Sequence, residues 1–278
     1  MERSVIGKSV RGASHIRSEK ECQDSFHFDC YDDGCIVIAV ADGHGSKSSP
    51  FSKSGSTIAV NTFCAAVKGL HDSYIDNLDA LQTYFNREGE MSFAQSIEHE
   101  WKRRVIKTHS NAKREVPLTD SKEKDCDAIY MQYGTTLLGL FIAPEYTFAF
   151  QLGDGDIMRI TKDKIGQVIQ SDKILGVETH SLCKSNAWKS AISSVSRIDE
   201  QELPSLYMLS TDGLANSYLN DSEFQKTCRD YFDLIQEHGM TEIEQHLQEW
   251  LSDTSENGCG DDITVVFALL PQEVSTDE

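Results

Sequence analysis

The sequence is short of basic residues and of long apolar runs. It has 26 lysines and arginines against 45 aspartates and glutamates, which gives a formal net charge of −19. This negative charge repels nucleic acid and anionic lipid, so we expect neither as a partner. No stretch approaches the roughly 18 consecutive apolar residues of a membrane span, and the polar N-terminus has no signal-peptide apolar region. We therefore expect a soluble, cytoplasmic protein.

The sequence also lacks closely paired cysteines. None of its eight cysteines stands in the C-x-x-C spacing that is typical of a zinc knuckle. Several of them, such as Cys35 and Cys64, lie in apolar runs, where a free thiol behaves as a small hydrophobic side chain. We expect the cysteines to be reduced and structural, as is usual in a cytosol.

The length of the chain limits the number of domains. A chain of 278 residues lies near the upper limit for one hydrophobic core, so one large domain and two small ones both fit this length. Residues 115–132 predict a long polar loop, and residues 171–204 predict an irregular excursion. Neither resembles a linker, which favours one domain over residues 1–271, followed by a flexible acidic tail over residues 272–278.

Predicted strands and helices do not alternate regularly along the chain. Apolar runs rich in β-branched residues predict strands at about residues 34–41, 136–142, 146–152, 155–160, 206–210 and 263–270. Amphipathic patterns predict helices over roughly residues 51–68, 91–113, 222–236 and 241–252. This order favours an α+β fold with mainly antiparallel sheets over a doubly wound parallel fold.

One predicted helix, over residues 91–113, carries the basic cluster of the chain. Its apolar side chains recur every four residues and predict a buried stripe, which consists of Phe93, Ile97, Trp101 and Val105. The basic residues Lys102, Arg103, Arg104 and Lys107 then lie on the other side of the helix. We interpret them as a solvated face and not as a nucleic-acid surface.

Four apolar runs border an aspartate that stands beside a glycine or beside another aspartate. These acids are Asp42 in A-D-G-H-G, Asp154 in Q-L-G-D-G-D, Asp212 in S-T-D-G-L, and Asp261 with Asp262 in G-D-D-I-T. A single D-G pair is most simply a turn at the end of a strand. Antiparallel strands, however, bring the end of one strand beside the start of the next, so these acids can meet and repel one another unless a cation neutralises them. Carboxylates without thiolates favour Mg²⁺ or Mn²⁺.

Taken in order, these motifs resemble those of a known family. V-A-D-G-H-G-S, G-T-T-L-L-G-L-F, Q-L-G-D-G-D, L-S-T-D-G-L and G-D-D-I-T-V-V-F have the order and approximate spacing of the metal-dependent Ser/Thr protein phosphatases of the PP2C (PPM) family. C-Q-D-S at residues 22–25 is similar to the first acidic motif of that family, and the resemblance runs from about Gly12 to Leu270. It implies a single-domain β-sandwich of two antiparallel sheets flanked by helices, with two metal ions at one end.

The resemblance also implies a role for each acid. Asp42 looks like the ligand that bridges both metals, and the carbonyl of Gly43 looks like a ligand of the second metal. Asp212 and Asp261 resemble further ligands of the first metal. Asp24 resembles the acid that binds the second metal mainly through water.

Asp154 completes this set, because with Asp212 it matches an optional third-metal site of the family. The implied cofactors are thus two Mg²⁺ or Mn²⁺ ions, with a third ion optional.

His44 takes the place of the general acid proposed for this family. Two cations lower the pKa of a shared water enough to give hydroxide near neutral pH, which then attacks the phosphorus in line. The serine or threonine alkoxide leaves at a high cost without a proton, and an imidazole with a pKa of about 6.5 supplies one. The alternative role for His44 is a hydrogen-bond partner of a metal-binding carboxylate.

Three positions depart from the family pattern. Gln23 stands where the family commonly has a glutamate, and an uncharged amide weakens the expected hold on the second metal. Glu19 stands where the family has the arginine that grips the substrate phosphate, so we expect Arg17 or His15 to bind the phosphate. Arg17 is slightly favoured, because a guanidinium binds phosphate in bidentate fashion. Asp262 replaces a frequent asparagine and either strengthens metal binding or makes hydrogen bonds.

The leading hypothesis is a Mg²⁺- or Mn²⁺-dependent phosphatase that acts on phosphoserine and phosphothreonine in phosphoprotein substrates, as a monomer in signalling. Gln23 and Glu19 support a second hypothesis, in which the protein is a regulatory or binding module with the same fold and little or no activity. A third hypothesis keeps the two-metal chemistry but changes the substrate to a nucleotide or another small phosphoester.

Overall fold

Apolar runs form the inner strands of two antiparallel sheets. The computed structural model describes residues 4–115, 121–170 and 180–272, and each sheet within them has five strands. The first sheet has the order β1 (Ser4–Val10), β10 (Ile263–Leu270), β9 (Ser205–Ser210), β6 (Asp156–Thr161) and β7 (Ile165–Gln167). The second has the order β2 (Ser25–Cys30), β3 (Ile36–Ala41), β4 (Leu137–Ile142), β5 (Tyr146–Leu152) and β8 (Ile192–Arg197).

The two sheets stack face to face and share one apolar layer. Ile38 and Val40 of β3 lie in the same buried cluster as Val266 and Ala268 of β10. Because side chains alternate between the two faces of a strand, the other residues of these strands face outward and need a second cover. The helices provide that cover, so the inner strands are buried on both faces and the chain forms one domain.

Helices cover the outer face of each sheet. Phe63, Phe85 and Trp101 lie in the cluster that covers the second sheet, and Phe232 and Leu247 lie in the cluster that covers the first. The α-helices are α1 (Ala13–Arg17), α2 (Ser52–Ser73), α3 (Leu78–Glu88), α4 (Ala94–Asn111), α5 (Lys122–Met131), α6 (Asp212–Ala215), α7 (Asp221–His238) and α8 (Met240–Asn257). A short π-helix, Gly89–Phe93, joins α3 to α4, and two 3₁₀ turns span Ala187–Ser190 and Glu200–Glu202.

The architecture confirms the predicted α+β sandwich of two antiparallel sheets. The six predicted strands are present as β3, β4, β5, β6, β9 and β10. The predicted loop over residues 115–132 is wrong in part, because α5 occupies Lys122–Met131, and the predicted irregular excursion contains β8. Residues 116–120 and 171–179 of these two segments, and residues 273–278 of the predicted tail, lie outside the described residues.

The prediction for the helix over residues 91–113 is confirmed in α4 and the π-helix before it. Its predicted stripe is buried, and it consists of Phe93, Ile97, Trp101 and Val105. The basic cluster pairs with acids of the same helix: Lys102 Nζ lies 2.5 Å from a carboxylate oxygen of Glu98, and Arg104 Nε lies 2.7 Å from one of Glu100. Arg103 and Lys107 are exposed, as predicted for a solvated face, whereas the side chain of Lys102 is only 16% exposed and also donates to the carbonyl of Lys184.

Two expectations from the composition concern membrane-spanning helices and the state of the cysteines. Among the described residues, no helix combines the length and the apolar character that crossing a bilayer requires. The eight cysteines, all within the described residues, form no disulfide, and Cys35 and Cys64 are buried as predicted.

Candidate metal centre

Strand β3 holds Asp42 by its main chain. Asp42 directly follows the last residue of this fully buried strand, and its N–H donates to Oγ1 of Thr136 over 2.9 Å. Its carbonyl accepts from the N–H of Thr136 at 2.9 Å and from Oγ1 of Thr135 at 2.7 Å. The two threonines thus fix the backbone of Asp42, whose carboxylate lies within reach of the charges of other aspartates.

Gly43 is required because backbone approaches it closely. A Cβ at this position would lie 2.7 Å from the carbonyl oxygen of Gln23 and 2.8 Å from that of Ser52. Any side chain here would therefore push apart β2, β3 and the start of α2. This steric limit explains the glycine of the D-G pair at the end of β3.

Five aspartates meet at this end of the sandwich. The pKa of Asp42 is raised well above its ordinary value, first by burial and then by the negative charges of Asp24, Asp212, Asp261 and Asp154. The five acids come from five different turns or strand ends. Such mutual repulsion is costly unless a cation neutralises it. Their oxygen-only donor set fits Mg²⁺ or Mn²⁺.

Asp24 is the most deeply buried acid of the centre. Only 1% of its surface is exposed, and Oγ1 of Thr211 donates to its Oδ2 over 2.6 Å. Burial raises the pKa of Asp24 from 3.8 to about 7, and the charges of Asp262 and Asp212 add to this rise, while the Thr211 hydrogen bond opposes it. Without a cation, this carboxyl is therefore protonated over part of the neutral range.

The glycine of the D-G pair at Asp212 also allows two backbone segments to approach closely. Asp212 is the first residue of the short helix α6, and its Oδ2 accepts from Nδ2 of Asn216 over 2.9 Å. A Cβ on Gly213 would overlap the carbonyl oxygen of Asp262. Glycine therefore lets the turn after β9 lie against the turn before β10. This contact brings Asp212 close to Asp261.

Asp262 makes hydrogen bonds, which is one of its two expected roles. Its side chain is buried, and Oδ1 accepts from the N–H of Gly12 at 2.6 Å. Oδ2 accepts from the N–H of Gln23 at 2.7 Å. His15 Nδ1 also lies 2.9 Å from Oδ1. Asp262 thus ties the segment between β1 and β2 to the start of β10.

We expect Asp262→Asn to lower the free energy of unfolding of the metal-free protein by about 2 kcal/mol, because an amide nitrogen would face the N–H of Gln23 or Gly12. Urea unfolding in a chelator measures this change. Asp163→Asn is the matched control: this exposed aspartate lies in the turn between β6 and β7, outside these contacts, so it should leave the metal-free stability unchanged. Equal destabilisation by both changes would contradict the anchoring role.

The two candidate phosphate ligands differ in their surroundings. Both ring nitrogens of His15 face carboxylates, since Nε2 lies 3.7 Å from Oδ1 of Asp261 in addition to the Asp262 contact. Arg17 is exposed at the end of α1, and its Nη2 lies 3.6 Å from the place that a Cβ on Gly260 would occupy. Within the described residues, no hydrogen bond or ion pair of Arg17 is observed.

His44 lies beside the G-T-T segment. Its N–H donates to the carbonyl of Gly134 over 3.1 Å, and its ring edge fills the space that a side chain at Gly134 would need. The residue is half-buried. Its backbone is therefore held beside the G-T-T segment, and the residue stays partly exposed.

The comparisons with known proteins agree with this arrangement. Residues 11–252 match the family model described as protein phosphatase 2C. The chain belongs to the protein phosphatase 2C family. No curated protein matches the chain in sequence.

Solved structures of serine/threonine phosphatases share the fold. The catalytic domain of the phosphatase PstP, solved in complex with two manganese ions, has 16% sequence identity and a TM-score of 0.56, with 97% of this chain and 98% of that chain covered. The S. agalactiae serine/threonine phosphatase has 17% identity and a TM-score of 0.59, with coverage of 96% and 98%. Stp1 from Staphylococcus aureus has 11% identity and a TM-score of 0.60, with coverage of 97% and 96%. At these identities the likeness concerns the fold.

Proposed function

We propose that this member of the protein phosphatase 2C family hydrolyses phosphoserine and phosphothreonine in proteins and depends on Mg²⁺ or Mn²⁺. The observation that carries the proposal is the group of four aspartates whose charges act on Asp42. The manganese ions bound to PstP, which shares the fold, give further support. We also propose that the protein acts as a cytoplasmic monomer on phosphoproteins, in keeping with a net charge of −19 that disfavours nucleic acid and anionic membranes.

In this proposal, two metal ions share the acids of the centre. Asp42 would bridge two ions, with the carbonyl of Gly43 and the water-mediated Asp24 on one of them and with Asp212 and Asp261 on the other. Divalent ions held in this way lower the pKa of a bound water and neutralise charge on the phosphoryl oxygens.

Asp154 lies in the turn between β5 and β6 and is half-buried. Its charge acts on Asp42, which supports the proposal that it serves an optional third ion together with Asp212.

His44 is suited to move a proton at the cleft. Its N–H binds the carbonyl of Gly134, and in the sequence His44 follows Asp42 by two residues. In this role the imidazolium donates a proton to the seryl or threonyl oxygen as it leaves the phosphorus, which avoids the release of an alkoxide.

Arg17 is our proposed phosphate ligand, because its guanidinium keeps its donors available while His15 faces two carboxylates. We expect Arg17→Ala to raise KM for a phosphopeptide by about tenfold to a hundredfold, since charged hydrogen bonds to the phosphate are lost. Steady-state kinetics measure the change. Arg103→Ala is the control, because this exposed arginine of α4 pairs with Glu100. A raised KM in His15→Gln with an unchanged KM in Arg17→Ala would assign the phosphate to His15 instead.

Gln23 weakens the hold on the second ion, so we expect Gln23→Glu to tighten it. Its Oε1 is buried, has no hydrogen-bond partner in the part of the chain that the structure describes, and packs against Gly45, beside His44. We expect the Mn²⁺ concentration for half-maximal activity to fall about tenfold, as for other groups that orient metal ligands. Gln201→Glu, at an exposed 3₁₀ turn, is the control for added charge. An unchanged Mn²⁺ dependence in Gln23→Glu would contradict this role.

A comparison of three substrates tests the proposed function. Protein stripped of metal by a chelator is assayed with a phosphothreonine peptide, an aryl phosphate and a nucleotide, each with and without Mn²⁺. We expect turnover of the peptide that depends on Mn²⁺ and exceeds turnover of the nucleotide. Faster turnover of the nucleotide would favour a small-phosphoester phosphatase, and no turnover at any Mn²⁺ concentration would favour a regulatory module without activity.

A further inference from the structure

A second group of metal-binding side chains lies at the other end of β3. It consists of Asp33, Cys35 and His71, and the ligand atoms of all three lie within 4.8 Å of one another. Cys35 directly precedes β3 and Asp42 directly follows it, so the two ends of this strand are separated by about 20 Å. The group is therefore distinct from the aspartate centre. Nothing in the proposed phosphatase chemistry uses it.

The turn between β2 and β3 brings two of these residues together. Gly34 adopts a φ of +82°, and its N–H donates to the carbonyl of Tyr31 over 3.0 Å. The N–H of Cys35 then donates to Oδ1 of Asp33 over 3.0 Å. This tight turn places the Asp33 carboxylate next to the Cys35 thiol, and the turn needs Gly34 because other residues rarely adopt positive φ.

Helix α2 supplies the third residue in its last turn. His71 is buried, and its Nε2 lies 2.7 Å from Oδ2 of Asp33. Its Nδ1 is also buried and has no hydrogen-bond partner among the described residues, although Oδ1 of Asp72 lies 3.6 Å away. If Nε2 carries the proton toward Asp33, Nδ1 keeps an unpaired lone pair in a buried position, which is unfavourable.

A cation at Nε2 would relieve this cost. Nδ1 would then carry the proton and point it toward the carboxylate of Asp72. A histidine that binds a metal through one nitrogen usually donates its other N–H to a carboxylate or a carbonyl in this way. The unpartnered Nδ1 and the nearby Asp72 therefore support a metal-binding role for His71, independently of the proximity of the three ligands.

We propose that Asp33, Cys35 and His71 form a zinc site. A thiolate, an imidazole and a carboxylate are the ligands that tetrahedral Zn²⁺ prefers, whereas the oxygen-only aspartate centre suits harder ions. The thiol of Cys35 releases its proton on binding, and the two negative ligands then balance the charge of the ion. The side chain of Asp33 is 31% exposed, so the fourth position opens toward solvent and accepts a water.

Zinc at this site would join the β2–β3 turn to the end of α2. Because the ion binds the folded chain and not the separated segments, it stabilises the fold by linkage. If Cys35 binds zinc, the expectation that every cysteine is only structural is wrong for this residue.

Cobalt tests the site, because Co²⁺ bound by a thiolate absorbs in the near ultraviolet through sulfur-to-metal charge transfer, while Co²⁺ at an oxygen-only centre does not. We expect one equivalent of Co²⁺ to produce this absorption in the wild-type protein and one equivalent of Zn²⁺ to remove it. Cys35→Ser and Asp33→Asn should each reduce the absorption at least tenfold. Cys228→Ser, a change at an equally buried thiol in α7, should leave it intact.

The half-exposed Asp33 keeps the test informative if Cys35→Ser folds poorly, and circular dichroism checks the folding of both variants. We further expect Asp72→Asn to weaken Zn²⁺ binding by about tenfold to a hundredfold, since Asp72 orients His71. No charge-transfer absorption in the wild-type protein, or an unchanged absorption in folded Asp33→Asn, would overturn the proposal. Neither result depends on phosphatase activity.

Discussion

Asp42→Asn is expected to lower the Mn²⁺-dependent turnover of a phosphopeptide by about three orders of magnitude. Asp42 is the acid on which the charges of all four other aspartates act, so its carboxylate is the one best placed to bind two ions at once. Losing a bridging ligand removes several kcal/mol of stabilisation of the developing charge, and about 4 kcal/mol corresponds to a thousandfold in rate. Single-turnover and steady-state assays over a range of Mn²⁺ concentrations measure the loss.

The matched control for this change is Asp163→Asn, an exposed aspartate in the turn between β6 and β7. It carries the same loss of charge and lies outside the centre, so turnover should stay within a factor of two of wild type. In metal-free protein, Asp42→Asn should also raise the melting temperature, because it removes a buried carboxylate that four neighbours repel. Turnover by Asp42→Asn within tenfold of wild type would contradict the bridging role.

Asp24→Asn is expected to change how the stability of the metal-free protein depends on pH. The pKa of Asp24 in the folded protein is about 7, against an ordinary value of 3.8. A carboxyl with a raised pKa binds its proton more tightly in the folded state. It therefore favours folding at low pH, and this stability is lost as the pH rises from about 4 to about 7. The full loss from this group is up to about 4 kcal/mol.

Urea unfolding in a chelator between about pH 5 and pH 8 measures this effect. We expect wild-type protein to lose stability relative to Asp24→Asn as the pH rises, since the amide stays neutral throughout. Saturating Mn²⁺ should abolish most of the wild-type decline, because the cation replaces the proton. Asp163→Asn should follow the wild type. Parallel pH curves for wild type and Asp24→Asn would show that ionisation of Asp24 does not lower the stability of the folded protein.

The six strands that the sequence predicted are the inner strands of the two sheets. The four strands that it did not predict, β1, β7, β2 and β8, are the four edges. An inner strand has neighbours on both sides and cover on both faces, so its sequence is an apolar run such as I-V-I-A-V-A in β3. An edge strand keeps polar side chains, as in I-S-S-V-S-R of β8, and its sequence resembles that of a loop.

Most aspartates of the proposed centre could be located from the sequence for the same reason. Asp42, Asp154, Asp212 and Asp261 each stand at the border of an apolar run, and a rigid strand end is a position that sequence patterns locate well. Asp24 was found through its likeness to a family motif, because it borders the edge strand β2.

Side chains that act through distant partners were not predictable. Asp262 had two open roles until the structure showed its contacts to Gly12 and Gln23, which are 250 and 239 residues away along the chain. The carboxylates near His15 likewise come from a distant part of the chain, at the start of β10, and they are the reason why we propose Arg17 as the phosphate ligand.

The sequence by itself determined which residue types stand at strand ends, and with them the inner strands, the helix faces and the oxygen-rich character of the centre. These features depend on local periodicity and on chemistry that each residue carries alone. Only the tertiary structure decided which of these groups meet, as it did for Asp33, Cys35 and His71. The contact between a turn and the end of a helix 36 residues later leaves no periodic trace, because it arises from how α2 packs across the sheet.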